Sequence, residues 1–267
     1  MRRAMGYFWK IGLVFMVVGG LLSVTAIGAG AGRRNPATFV DMEETTYEDI
    51  RGLVIEVGIG RAEVRQGDGF SVSGKRADYQ EIEQEVKDGI LYIKEKDEED
   101  RRLWSMFGFW LGDGSWNGAD LLITIPEDAV LDELEVSAGV GRVYLEEVTV
   151  DGEAKIRAGA GQAELVDFSG NGKLSLDCGV GEISCQGRFN GEADLECGVG
   201  SIRMELDGRE EDYGYKVEGG IGSVQVGSQG YGGIGSMERR VRGKAENQLD
   251  IQCGVGEVVV TFASDAS

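Results

Sequence analysis

Histidine is absent from this 267-residue sequence, proline occurs twice and cysteine four times. The lack of histidine removes the commonest general base and the commonest zinc ligand. No Cys-x-x-Cys pair occurs either, which argues against a zinc site. Positive charge is scarce, with 27 Lys and Arg against 47 Asp and Glu, a formal charge of −20. Residues 1–32 hold Arg2, Arg3 and Lys10 and no acid, so the remainder carries 24 basic against 47 acidic residues, or −23. Such a surface repels polyanions, so nucleic acid is not an expected partner. No Gly-Lys-Ser/Thr occurs, no Gly-x-Gly-x-x-Gly opens a helical pattern, and the calcium-binding Gly-Gly-x-Gly-x-Asp repeat is missing. Nucleotide-loop and calcium-repeat readings of the glycines therefore fail, and no cofactor is expected.

What is abundant is glycine, 44 residues of it, in a recurring word. Gly139-Val140-Gly141 returns as Gly58-Ile59-Gly60, Gly159-Ala160-Gly161, Gly179-Val180-Gly181, Gly198-Val199-Gly200, Gly220-Ile221-Gly222 and Gly254-Val255-Gly256. From Gly139 onward the first glycines are spaced 20, 20, 19, 22 and 34 residues apart. A period near 20 is the signature of a repeat architecture. Within one repeat, Val136, Ala138 and Val140 alternate with Ser137 and Gly139, as on a strand with one apolar face. The parity changes before Val143 and Leu145, so a corner or bulge lies at the glycines. On this reading Val180 is buried at the corner and Glu182 faces water.

Aligned repeats share inward columns. One reads Val136, Ile156, Leu176, Leu195, Val217, Ile251, and another Val143, Ala163, Ile183, Ile202, Val224, Val258. A single repeat cannot bury its apolar side alone, whereas stacked repeats make a continuous core. The expected fold is all-β: one β-solenoid of roughly 20-residue coils, with parallel strands about 4.8 Å apart between coils. The corner glycines Gly139, Gly141, Gly159, Gly161, Gly179, Gly181, Gly198, Gly200, Gly220, Gly222, Gly254 and Gly256 are structural.

In chain order, a basic start precedes the uncharged stretch Ile11–Ala31. Its 21 residues make a helix of about 31 Å, enough to span a bilayer. Residues 1–32 are thus expected to form a transmembrane signal-anchor, with a cleaved signal peptide as the competing reading. Residues 33–49 read as a polar linker, 50–130 as an N-terminal β cap, and 131–267 as the coils, with a glycine-rich insertion at 227–243. Three of the four tryptophans fall within the insertion at 97–119, which breaks the pattern. Trp104, Phe107, Phe109, Trp110 and Trp116 there either plug the end of the stack or form an aromatic patch for a partner or the membrane interface.

The apolar N-terminal helix, Leu53–Val64, Gly89–Lys94, the strand ending Ile125-Pro126 and the word Leu134–Val143 together resemble the bacterial "putative adhesin" family, a domain of unknown function in surface proteins. The resemblance covers about 50–267 and implies a β-solenoid at the surface of a Gram-positive bacterium. It offers no catalytic residues. Some members of that family accompany envelope-stress response systems.

Two chemical features stand out beside it. Cys178, Cys197 and Cys253 share one inward column and Cys185 lies on another, as buried free thiols; an alternative is a disulfide between Cys178 and Cys197. Asp177, Glu196 and Glu218 share an outward column, either as a solvated face relieved by Arg157 and Lys216 or as a site for a hard cation or acid–base work. No nucleophile–base pair can be named, so the chain is read as a non-enzyme. The expected function is a cell-surface module presenting repeat faces to a protein or glycan, held to the membrane by its N-terminal helix. The alternatives are a membrane-anchored envelope-stress component and, more distantly, a polysaccharide-acting enzyme.

Overall fold

The computed structural model describes residues 38–77, 81–96, 118–241 and 245–263. Their strands are, in chain order, β1 (Phe39–Tyr47), β2 (Gly52–Gly67), β3 (Phe70–Ala77), β4 (Ile82–Lys87), β5 (Ile90–Glu95), β6 (Ala119–Pro126) and β7 (Val130–Glu146). Then follow β8 (Thr149–Ala158), β9 (Gln162–Gly170), β10 (Lys173–Phe189), β11 (Glu192–Leu206), β12 (Tyr213–Val226), β13 (Gln229–Val241) and β14 (Asn247–Phe262). The one helical element among the described residues is a 3-10 turn at Glu210–Asp212. None is long and apolar enough to cross a membrane, and the expected anchor at 1–32 lies outside the described residues.

All fourteen strands form one sheet. Its spatial order is β1-β3-β6-β2-β7-β8-β9-β10-β11-β14-β12-β13, with β5 pairing β2 and β4 pairing β5. From β2 to β12 the pairing is parallel, and it keeps the glycine words in register: Ile59 opposite Val140, Val180 opposite Val199, Val199 opposite Val255, Val255 opposite Ile221. Each long strand carries the corner within it, giving one arm on either side. In one repeat the corner interrupts pairing, so β8 and β9 are its separate arms.

The arms bury the expected columns. Ile55, Val136, Ile156, Leu176, Leu195, Ile251 and Val217 are each fully buried, as are Val143, Ile183, Ile202 and Val258. At about 1.5–3 kcal/mol for each large aliphatic side chain removed from water, these columns dominate the stability of the stack. Polar ladders pin the register between repeats. Asn171 donates to Asp151 (2.8 Å) and Asn190 donates to Asn171 (3.1 Å).

The second glycine of each word is where strand meets strand most closely. A Cβ on Gly181 would sit 2.0 Å from the carbonyl oxygen of Gly161, and one on Gly161 2.2 Å from that of Gly141. Gly141 meets Gly60 at 1.9 Å, Gly200 meets Gly181 at 2.1 Å and Gly256 meets Gly200 at 2.0 Å. The first glycines are looser, at 2.7–2.9 Å for Gly139, Gly159, Gly179, Gly198, Gly254 and Gly220. Gly222 is intermediate at 2.6 Å.

The structure departs from the sequence reading in several places. Val180 is 59% exposed, not buried. The inward run stops at Cys178 and resumes at Ile183, so the parity break falls earlier and the aliphatic residue between the glycines turns outward. Glu182 is half-buried, ion-paired with Arg203. The repeats do not stack in sequence order, because β14 inserts between β11 and β12 and pairs in parallel with both. The glycine-rich stretch 227–243 forms β13, antiparallel to β12, which leaves β12 only one side for a parallel neighbour. The stretch read as a linker contains β1, which pairs with β3 as an edge strand. Finally, β2, read as part of the cap, runs in full register with β7 from Gly52 to Val64.

These contacts predict a sharp contrast between neighbouring substitutions. Ile183→Asp buries an unpaired charge and is expected to unfold the domain, whereas Val180→Asp should change stability by under about 0.5 kcal/mol. Gly181→Ala forces backbone against backbone and should cost about 3 kcal/mol, with Gly179→Ala costing distinctly less. Chemical denaturation of the four variants checks both pairs. Equal losses for Ile183→Asp and Val180→Asp would refute the placement of the corner.

Candidate functional site

The corner builds a surface as well as a fold. On the outward side of β10, β11, β14 and β12, Val180, Val199, Val255 and Ile221 follow one another in register. They are 59%, 50%, 49% and 60% exposed, respectively. At about 4.8 Å per strand, these side chains form an aliphatic ridge about 14 Å long, running across the strands. The same position is buried at Val140 and half-buried at Ile59 and Ala160, so the ridge belongs to the C-terminal half of the stack. At the other end of the stack a side chain closes the corner. The Glu95 carboxylate accepts hydrogen bonds from the backbone N–H groups of Gly58 (3.0 Å) and Ile59 (3.2 Å).

Beside the ridge lies an open groove of about 610 Å³. Its floor is the bare backbone of Gly179, Gly198 and Gly254, whose missing side chains make the depression. Its far wall is the column Asp177, Glu196, Gln252, Glu218. The inserted strand β14 places Gln252 between Glu196 and Glu218, so the three acids expected to stack together do not. An amide between two carboxylates relieves their repulsion and splits the oxygen cluster that a hard cation would need. No metal-holding group of His, Cys, Asp or Glu is present among the described residues. Lys216 pairs with Glu218 and lies 3.6 Å from Asp250, and Arg157, which stands opposite Asp177 in register, pairs with Glu135. Asp177 and Glu196 have no ion-pair partner among the described residues.

Directly under the groove runs a thiol ladder. Cys178 lies opposite Cys197 and Cys197 opposite Cys253, and all four cysteines are buried and free. In β12 the position belongs to Gly219, so the ladder ends there. Burial pushes the Cys178 thiol up to about 11 and the deeper Cys185 thiol up to about 12, and raises Cys197 and Cys253 as well. Thiols held protonated in this way are poor nucleophiles.

Trp104, Phe107, Phe109, Trp110 and Trp116, the candidate contact residues from the sequence, lie outside the described residues. The corner glycines stack in register from strand to strand, with Gly198 and Gly254 exposed on the groove floor and the residues between the glycines forming the ridge. The ridge was missed because a valine between two glycines reads equally well as inward or outward. Spacing could not have found it, since the interval from Cys178 to Ile183 recurs from Ala138 to Val143, where Val140 is buried.

This is an all-β domain whose surface feature is a corner ridge above a groove. Similar solved structures are a "putative cell adhesion protein" from Clostridium sporogenes, 17% identical, with 84% of this chain and 100% of that chain covered at a TM-score of 0.43. A second is a "putative adhesin" from Bacteroides fragilis, 11% identical, covering 85% of this chain and 100% of that one at a TM-score of 0.35. A third, from Parabacteroides distasonis, is 15% identical, covers 84% and 97%, and has a TM-score of 0.27. No protein-family model and no curated protein matches the chain.

The thiol ladder sets a pH dependence. Above the ordinary thiol value of 9.0 the unfolded chain releases protons that the folded chain retains, so stability falls as pH rises from about 9 toward 11 or 12. A Cys178→Ala/Cys185→Ala variant is expected to show a shallower decline of Tm over that window. In mass spectrometry of alkylated protein, all four thiols should label slowly in the native state and readily after denaturation. Fast native labelling would contradict their inward placement.

Proposed function

We propose that this chain is a non-catalytic, adhesin-like module of the cell surface, a β-solenoid held to the membrane by the apolar stretch 11–31 and presenting its corner ridge to an external partner. The observation that carries the reading is the ridge itself. Val180, Val199, Val255 and Ile221 are large aliphatic side chains kept in water on four successive strands, although the same chain buries its other aliphatic columns almost completely. Single exposed apolar residues are ordinary, but a contiguous row in register is the kind of patch that marks a contact surface. The flat, repetitive outer face and the strongly acidic composition suit a protein that stays soluble outside the cell while offering one apolar strip. The non-catalytic reading rests on the absence of histidine from the sequence and on the position of Gln252 between Glu196 and Glu218.

The test is attachment. Cells displaying the full chain are compared with cells displaying Val199→Asp/Val255→Asp, on surfaces coated with proteins and with glycans. The expected result is attachment by the first that drops at least about tenfold in the second at equal display and equal Tm, since about 1.4 kcal/mol of lost contact corresponds to tenfold. Attachment identical for both, or absent from both on every surface, rejects the proposal.

A further inference from the structure

The ridge and groove together specify the chemistry of what they hold. We propose that they take a short polypeptide segment carrying basic side chains beside apolar ones, a cationic amphipathic partner. This rests on the reading of the ridge as a contact surface and adds the class of its ligand.

The argument is charge complementarity along a shared axis. The ridge and the carboxylate wall run parallel, in register strand by strand, with only glycine backbone between them. A ligand that covers Val199 therefore lies directly beside Glu196. Asp177 and Glu196 carry no ion-pair partner among the described residues, so their charge is available to a ligand. On the opposite flank, Glu257 of β14 accepts a hydrogen bond from the hydroxyl of Ser223, at 3.4 Å, and has no ion-pair partner among the described residues. An apolar ligand without cations would desolvate these carboxylates without compensating them, and a neutral glycan would offer them hydroxyl donors but no counter-charge. A second copy of this chain would bring an identical acidic rim against the first, which like-charge repulsion disfavours. A segment with lysine or arginine beside leucine or valine satisfies both walls at once. The cation meets the acids across the groove while the apolar side chain covers the ridge. Side chains on one face of such a segment recur about every 6.6 Å in a strand (two residues) or about every 5.4 Å in a helix (one turn), so the ridge of about 14 Å accommodates two or three of them.

The experiment uses the full chain in nanodiscs of zwitterionic lipid, with empty nanodiscs as the blank. The probes are a labelled Leu/Lys peptide, a Leu/Glu peptide of the same length and a Ser/Lys peptide that keeps the charge but lacks the apolar face. The expected result is saturable binding of the Leu/Lys peptide at physiological salt and at least about tenfold weaker binding of the other two. Val199→Ser/Val255→Ser leaves every charge in place and should weaken Leu/Lys binding about tenfold or more with Tm unchanged. Asp177→Asn/Glu196→Gln should also weaken it and reduce its dependence on salt. If the serine variant binds the Leu/Lys peptide as wild type does, the attraction is to net charge alone and the proposal is overturned. It is equally overturned if a neutral glycan, and not the peptide, binds wild type and is lost in the serine variant. Cell attachment that depends on the ridge without any peptide binding would sink this inference while leaving the contact-surface reading intact.

Discussion

Everything in this domain depends on how closely one corner can sit on the next. Where the second glycine of each word lies, the carbonyl oxygen of the preceding strand occupies the place a Cβ would need, at 1.9–2.2 Å through most of the stack. No side chain other than hydrogen fits, and the neighbour in the way is backbone, which cannot swing aside. The glycine column is therefore a packing requirement first. Parallel pairing at the usual strand spacing continues through the bend only because both glycine backbones are bare at that level. The aliphatic columns on either arm then fall into register without further adjustment.

That requirement also explains the surface. With the corner closed by backbone against backbone, the residue between the glycines has no interior to enter. Valine and isoleucine there are turned out into a row, and the first glycines leave a trough beside it. The ridge is thus a by-product of the same geometry that builds the core, and its apolar character is what calls for explanation. Serine or lysine would sit at those positions at no cost to the fold. The thiol ladder beneath adds to the contrast, since three small apolar side chains fill the narrow level just inside the trough.

Much of the fold was legible in the sequence because period-2 alternation and the repeated word report it directly. The columns through Ile156 and Ile183 are buried as read, and Cys178, Cys197 and Cys253 do face inward together. The exchange of β14 and β12 was not legible. Every repeat carries the same inward pattern, so any order of stacking satisfies the hydrophobic columns equally. What decides the order is the antiparallel hairpin with β13, which occupies one side of β12. A glycine-rich sequence such as Gly227–Gly235 gives little alternation from which to read a strand. For the same reason the site was half-read. The outward acids were identified, but their neighbour in space, Gln252, comes from a strand that sequence order places elsewhere.

The order β11, β14, β12 has a consequence for how the polypeptide is made. A stack that follows its sequence can grow strand by strand as the chain is synthesised. Here that growth halts at β11, because the strand that belongs next, Asn247–Phe262, is synthesised only after β12 and β13. Until that segment is released, β12 and β13 have no place to dock, and β11 presents a bare parallel edge. Docking of β12 and β13 is therefore tied to the release of β14. A prematurely terminated product would carry an open edge of the kind that proteases and chaperones recognise.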